Sequence, residues 1–186
     1  MSVKKRTGED MLPGDGSPQE RVRAMIRVDH AGEYGARRIY EGQLAVLGAT
    51  ASGPVIRHMA EQEKRHLARF DALVVERRVR PTALSPLWHA AGYALGVGTA
   101  LLGPQAAMAC TEAVESVIDE HYAGQAAALG EDEAGLRATI EEFRAEEAQH
   151  RDTALAHGAA QAPGYEVLSG AIKAGTRLAI WLSSRV

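Results

Sequence analysis

The chain contains one pattern twice. Glu33 is followed by Tyr40, Gly42, Gln43 and Gly48, and Glu115 by Tyr122, Gly124, Gln125 and Gly130 at the same intervals, an offset of 82 (115 − 33). Further on, Glu63 and His66 recur as Glu147 and His150, now at an offset of 84 (147 − 63). A single short insertion therefore separates two halves of like design. Two such halves can bury their apolar faces against each other about a pseudo-two-fold axis, so residues at equivalent positions meet at one centre.

Each half reads as a helical hairpin. Only 5% of residues are aromatic and no strand-like alternation of useful length appears, so the fold class is all-α. Ser17-Pro18-Gln19-Glu20 supplies an N-cap serine, a proline at the first helical position and a capping-box glutamate. The first helix then extends to about Leu47, and Pro54 opens a second that ends near Arg77. Ser85-Pro86 repeats the cap-then-proline signal for a third helix, which Gly103-Pro104 should kink or split before it continues to Leu129. Asp132 is positioned to cap a fourth helix that ends at Gly158. Residues 1–16 read as a flexible polar tail and 17–186 as one domain, with a last amphipathic helix from about 164.

Glu63-x-x-His66 and Glu147-x-x-His150 each place a carboxylate and an imidazole on one helix face, one turn apart. The spacing alone is weak, because a glutamate-rich chain produces such pairs by accident. Their places in the repeat carry the argument. Each hairpin has a lone glutamate on its first helix, Glu33 or Glu115, and Glu-x-x-His on its second. Glu33 lies among small residues (Ala31, Gly32, Gly35, Ala36), and Glu115 follows a long uncharged stretch, so both acids sit on apolar faces that demand a partner. Four glutamates and two histidines form the ligand set of ferritin-like two-metal bundles. They suit borderline-hard ions such as iron or manganese, and four carboxylates balance a 2+/2+ pair.

The rest of the composition excludes more than it assigns. A net charge of -3 and pI near 6.2 give no reason to expect nucleic acid. The lone Cys110, set among small residues, reads as a core hydrophobe and leaves no disulfide framework. Pro81 to Thr111 carries no Asp, Glu, Lys or Arg, but its glycines and Pro104 favour a buried or interfacial helix over a membrane span. His58, His89 and His157 match no ligand position.

Arg27-Val28-Asp29-His30-Ala31-Gly32-Glu33 with Gly35-Ala36, then Ala109-Cys110-Thr111, Ala113-Val114-Glu115 and His121-Tyr122, resemble the demethoxyubiquinone hydroxylase family of ubiquinone biosynthesis. The likeness runs from about Glu20 to Val186; Ser116 departs from it, standing where many members carry a second glutamate. It implies a monooxygenase that hydroxylates the ring of a polyprenylated demethoxy-benzoquinol with O2 and reducing equivalents. It also implies two iron ions, one at Glu33, Glu63 and His66 and the other at Glu115, Glu147 and His150, with Glu63 and Glu147 bridging. Tyr122 and His121 become candidates for substrate or electron-transfer contacts, against the plainer roles of packed aromatic and surface histidine. Asp29 is a candidate acceptor behind the ligands, or a solvated helix residue.

A polyprenyl quinol resides in a bilayer, so the resemblance implies peripheral attachment to a membrane surface, on the cytoplasmic side of the inner membrane if the chain is bacterial. It also leaves room for partner proteins of the same pathway. The last helix places Leu168, Ile172, Gly175, Leu178, Ala179 and Leu182 along one face with Lys173 and Arg177 off it, which fits an interfacial helix or a fifth helix packed on the bundle. Two rival functions remain at this point: an iron-storage or peroxide-reducing ferritin-like protein, and a non-catalytic lipid-binding module.

Overall fold

The computed structural model describes residues 16–186; the tail expected over residues 1–16 lies outside them but for Gly16. Six α-helices follow in order: α1 (Pro18–Leu47), α2 (Gly53–Glu76), α3 (Ser85–Leu101), α4 (Pro104–Ala128), α5 (Ala134–Ala156) and α6 (Tyr165–Ser183). Short 3-10 turns at Glu131–Glu133 and Ala159–Gln161 precede the last two, and no strand occurs among the described residues. The α1–α2 and α4–α5 hairpins form a ferritin-like four-helix bundle.

Helix α1 starts as the sequence dictates. Glu20 N–H donates to Ser17 Oγ at 3.2 Å, and Ser17 N–H donates to the Glu20 carboxylate at 2.7 Å. Two other starts differ from expectation. Ser85 is the first residue of α3 rather than its cap, and its hydroxyl donates to the Thr82 carbonyl at 2.8 Å. The turn Glu131–Glu133 delays α5 to Ala134, with no side-chain cap from Asp132. The expected break at Gly103-Pro104 is complete: Gly103 adopts φ +116, which separates α3 from α4 as distinct helices. The basic end of α2 reaches forward, where Arg77 grips Glu133 with two bonds of 2.9 and 2.7 Å.

The break reveals that the repeat comprises three helices per half. Helix α3 packs along α1, and α6 packs along α4. The α1–α3 contact is backbone to backbone: a Cβ on Gly92 would lie 2.8 Å from the Gly35 carbonyl, and one on Gly96 would collide with the Ile39 carbonyl. The α4–α6 contact is polar. Glu112, 5% exposed, accepts from Lys173 Nζ at 2.9 Å, Tyr165 at 2.9 Å, Ser169 at 3.1 Å and Ser116 at 2.8 Å. Burial opposes the charge on Glu112, but Lys173 and these hydroxyls outweigh it and hold its pKa below the usual carboxylate value.

Lys173 is thus an internal strut rather than a solvated flank of the last helix. The apolar face expected on α6 also divides. Ile172 and Ala179 turn toward the bundle, whereas Leu178 is 56% exposed. Among the described residues no helix is long and apolar enough to cross a membrane.

Candidate metal centre

All six side chains singled out by the repeat converge in the bundle interior, each no more than 3% exposed. They form two overlapping groups: Glu33, Glu63, His66 and Glu147, and Glu63, Glu115, Glu147 and His150. Within each group one potential ligand atom per residue lies within 4.8 Å of the others, a spacing at which one ion could be held. Glu63 and Glu147 belong to both groups. The Nδ1 of His66 is 3.1 Å from Glu147 and 3.4 Å from Glu33, and the Nδ1 of His150 is 3.1 Å from Glu147 and 3.2 Å from Glu63.

The orphaned atoms fit a cation. Both oxygens of Glu63, Oε2 of Glu33 and Nδ1 of His66 are buried with no hydrogen-bond partner. Such groups cost several kcal/mol when buried unpaired, so lone pairs gathered this closely match a centre built to be closed by positive charge. The electrostatics agree. Burial, with Glu147 and Glu33 close by, pushes the Glu63 carboxyl well above its ordinary pKa; burial with Glu147 and Glu63 does the same to Glu115. Burial opposes a charge on His66, yet its contacts with Glu147 and Glu33 win and push it up to about 12. His150 is raised in the same way, chiefly by Glu147.

The repeat also organises the surroundings of the centre. Tyr40 donates to Glu115 at 2.8 Å, and its counterpart Tyr122 donates to Glu33. Each tyrosine of one half thereby fixes the lone glutamate of the other. Gln125 donates to Asp29 at 2.8 Å, while Gln43 donates to the Ala107 carbonyl at 3.1 Å. The outer nitrogen of each histidine is held too: His66 Nε2–H donates to Glu146 at 2.7 Å, and His150 Nε2–H to Gln62 at 3.1 Å. Such bonds fix the tautomer, so each imidazole turns Nδ1 inward.

Asp29 is 2% exposed and bonded, not solvated. His121 lies 3.4 Å from Asp29 and accepts from Gln125 at 2.9 Å, on the wall of a crevice shared with Arg21 and Glu120. Gln62, Glu146 and Glu112 escaped the reading of the sequence, and Tyr40 entered it only as a mark of the repeat; Gln62 and Glu146 stand at repeat-equivalent positions that the offsets alone could have flagged. His58, His89 and His157 join neither group. Cys110 is fully buried and its thiol is pushed up to about 12, an inert core residue.

A ferritin-like bundle with a paired carboxylate–histidine centre has the side-chain arrangement of the two-metal carboxylate proteins and could bind metal. Within that class, residues 20–183 match the family model described as ubiquinone biosynthesis protein COQ7, and the chain is a member of that family. It is 61% identical over 183 residues to the 3-demethoxyubiquinol 3-hydroxylase of Rhodospirillum rubrum, covering 98% of this chain and 86% of that one. It is 55% identical over 169 residues to the human NADPH-dependent 3-demethoxyubiquinone 3-hydroxylase, mitochondrial, covering 89% and 78%. The yeast (Saccharomyces cerevisiae) 5-demethoxyubiquinone hydroxylase, mitochondrial, is 44% identical over 179 residues, covering 87% and 77%.

Proposed function

We propose that this chain hydroxylates the ring of a polyprenylated demethoxyubiquinol, with Glu33, Glu63, His66, Glu115, Glu147 and His150 holding two iron ions. One oxygen atom of O2 enters the ring C–H bond as hydroxyl and the other leaves as water, with two electrons from a reductant and two protons from solvent. The bound irons supply the reductive activation of O2.

The observation that carries this reading is an apolar cavity of about 580 Å³ against α1 and α4, the helices that bear Glu33 and Glu115, a size typical of small-molecule sites. Helices α1, α3, α4 and α6 line it, and the histidine-bearing α2 and α5 do not. Gly32 and Val114, the residues just before Glu33 and Glu115, form part of its wall. A ring held here lies on the side of α1 and α4, which carry Glu33 and Glu115. The cavity is roofed at one end by Trp88, whose Nε1–H donates to Ser183 at 3.0 Å, and elsewhere it runs between the paths of α3 and α6. Its lining is almost wholly apolar, which suits a hydrocarbon tail.

The chain's own residues then have distinct tasks. Tyr122, 1% exposed, positions Glu33 from behind and leaves that carboxylate's second oxygen free for an ion. Tyr40 likewise holds Glu115 through its hydroxyl. His121 opens on the crevice it shares with Arg21 and Glu120 and is assigned the contact through which reducing equivalents arrive. The decisive experiment pairs iron analysis with a quinol hydroxylation assay on one sample. Two irons per chain and O2-dependent formation of hydroxylated quinol are expected; accumulation of ferric mineral without product would instead mark a storage protein.

The quinol must be collected from a bilayer, and we propose that the outer faces of α3 and α6 lie on the membrane surface. Leu87, Leu101, Leu102, Val167, Leu178 and Trp181 are all at least half exposed, flanking the cavity-bearing side of the bundle. The double variant Leu101→Glu/Leu178→Glu is expected to stop co-sedimenting with phospholipid vesicles while keeping its helical content and two irons. Unchanged vesicle binding would place the attachment elsewhere.

A further inference from the structure

The two halves match so closely that their mismatches become informative. Behind the histidines, the repeat places Gln62 and Glu146 at equivalent positions, an offset of 84 (146 − 62). Each residue reaches across to the other half's imidazole, so the bonding pattern is symmetric while the chemistry is not. His66 donates to a carboxylate at 2.7 Å; His150 donates to a neutral amide oxygen at 3.1 Å.

A hydrogen bond to a carboxylate draws the Nε2 proton outward and loads electron density onto Nδ1, the atom that faces the centre. A bond to an amide oxygen does so far less. Building on the metal reading above, we infer that the two metal positions are unequal, with the Glu33–Glu63–His66–Glu147 position binding its divalent ion more tightly because Glu146 supports His66.

Other differences around the two positions do not reverse this. Arg65 lies 3.3 Å from Glu146, but its side chain is 59% exposed and its field is screened by water. The equivalent residue on the other half, Gln149, brings no charge to Gln62. Near the lone glutamates, Asp29 occupies the position that Thr111 holds in the second half, which adds a further acid on the Glu33 side. Tyr40 and Tyr122 treat Glu115 and Glu33 alike.

The test titrates metal-free protein with Fe(II) under nitrogen and follows binding by calorimetry. Two steps are expected for the unsubstituted chain. Glu146→Gln should weaken the tighter step by about 10–100-fold, as changes behind a liganding histidine commonly do, and leave the weaker step in place. Gln62→Glu should strengthen the weaker step, and the double exchange Glu146→Gln/Gln62→Glu should restore two unequal steps. Both single changes are nearly isosteric, and circular dichroism checks that each variant keeps its helices.

If Glu146→Gln moves both constants equally or neither, the inequality is overturned. Two ions bound with one shared constant, unaffected by Glu146→Gln, would remove the inequality and leave the metal reading intact. Binding of fewer than two ions by the unsubstituted chain would remove the metal reading itself.

Discussion

Glu63→Met is expected to make the metal-free protein more stable and the enzyme inactive. Glu63 is fully buried, and neither carboxylate oxygen has a hydrogen-bond partner. Burial and the neighbouring Glu147 and Glu33 all oppose its ionisation. Methionine fills a similar volume without a polar end, so the metal-free bundle should gain about 1–3 kcal/mol, the cost of keeping a buried polar group without a hydrogen-bond partner. In a chain of this size that corresponds to a rise of several degrees in the melting temperature, at roughly 2–4 °C per kcal/mol. Added Fe(II) should stabilise the unsubstituted protein by mass action and leave the variant's melt unmoved. Because Glu63 belongs to both metal groups, iron content and hydroxylation should fall together, by more than the roughly 10–100-fold typical of outer partners. Thermal melts with and without iron, read beside metal analysis, decide the matter. A variant that still loads two irons, or one less stable than the metal-free parent, would show that Glu63 is held by something other than metal.

This opposition between stability and function explains what the sequence discloses and what it hides. The six residues of the centre were legible because a repeat must place equivalent residues about one axis, whatever the details of packing. Helix ends were legible where the signal is local, as in the Ser17–Glu20 box. They failed where tertiary contacts compete. Ser85 joins α3 and spends its hydroxyl on Thr82, and a 3-10 turn tied to Arg77 displaces the start expected after Asp132.

The residues missed entirely are those whose role depends on long-range geometry. Glu146 reaches His66 across 80 positions, and Glu112 reaches Lys173 across 61. A glutamate beside another glutamate on an amphipathic helix looks solvated until the facing helix is known. Lys173 misled for the same reason: a cation at the edge of an apolar face resembles a membrane flank until the acid beneath it is in view. The third helix of each half shows the limit of the repeat itself. Helices α3 and α6 dock by close-packed glycines in one case and a charged strut in the other, so the architecture repeats where the residues do not.

Metal-free protein is expected to lose stability as pH rises from 6 to 9, and metal-loaded protein to resist that loss. The sign follows from the direction of the shifts. Glu63 and Glu115 have pKa values raised above 4.5, and His66 and His150 above 6.5, in the metal-free fold. Across this window the folded chain therefore holds protons that the unfolded chain has released. Stability then falls with rising pH, by about 1.4 kcal/mol per pH unit for each proton held in excess. Glu147, held down to about 2 by His150 and His66 against the effect of burial, works the opposite way and only in acid, below the ordinary carboxylate range. Metal ions occupy the lone pairs those protons hold, so binding must expel them, and affinity should rise with pH over the same window. Calorimetry of Fe(II) binding in two anaerobic buffers of different ionisation enthalpy at pH 7 should report net proton release. A count near zero would mean that the carboxylates and imidazoles are already deprotonated, as ligands must be, without metal. The Tyr40 bond, which favours the ionised form of Glu115, would then outweigh the burial that opposes it.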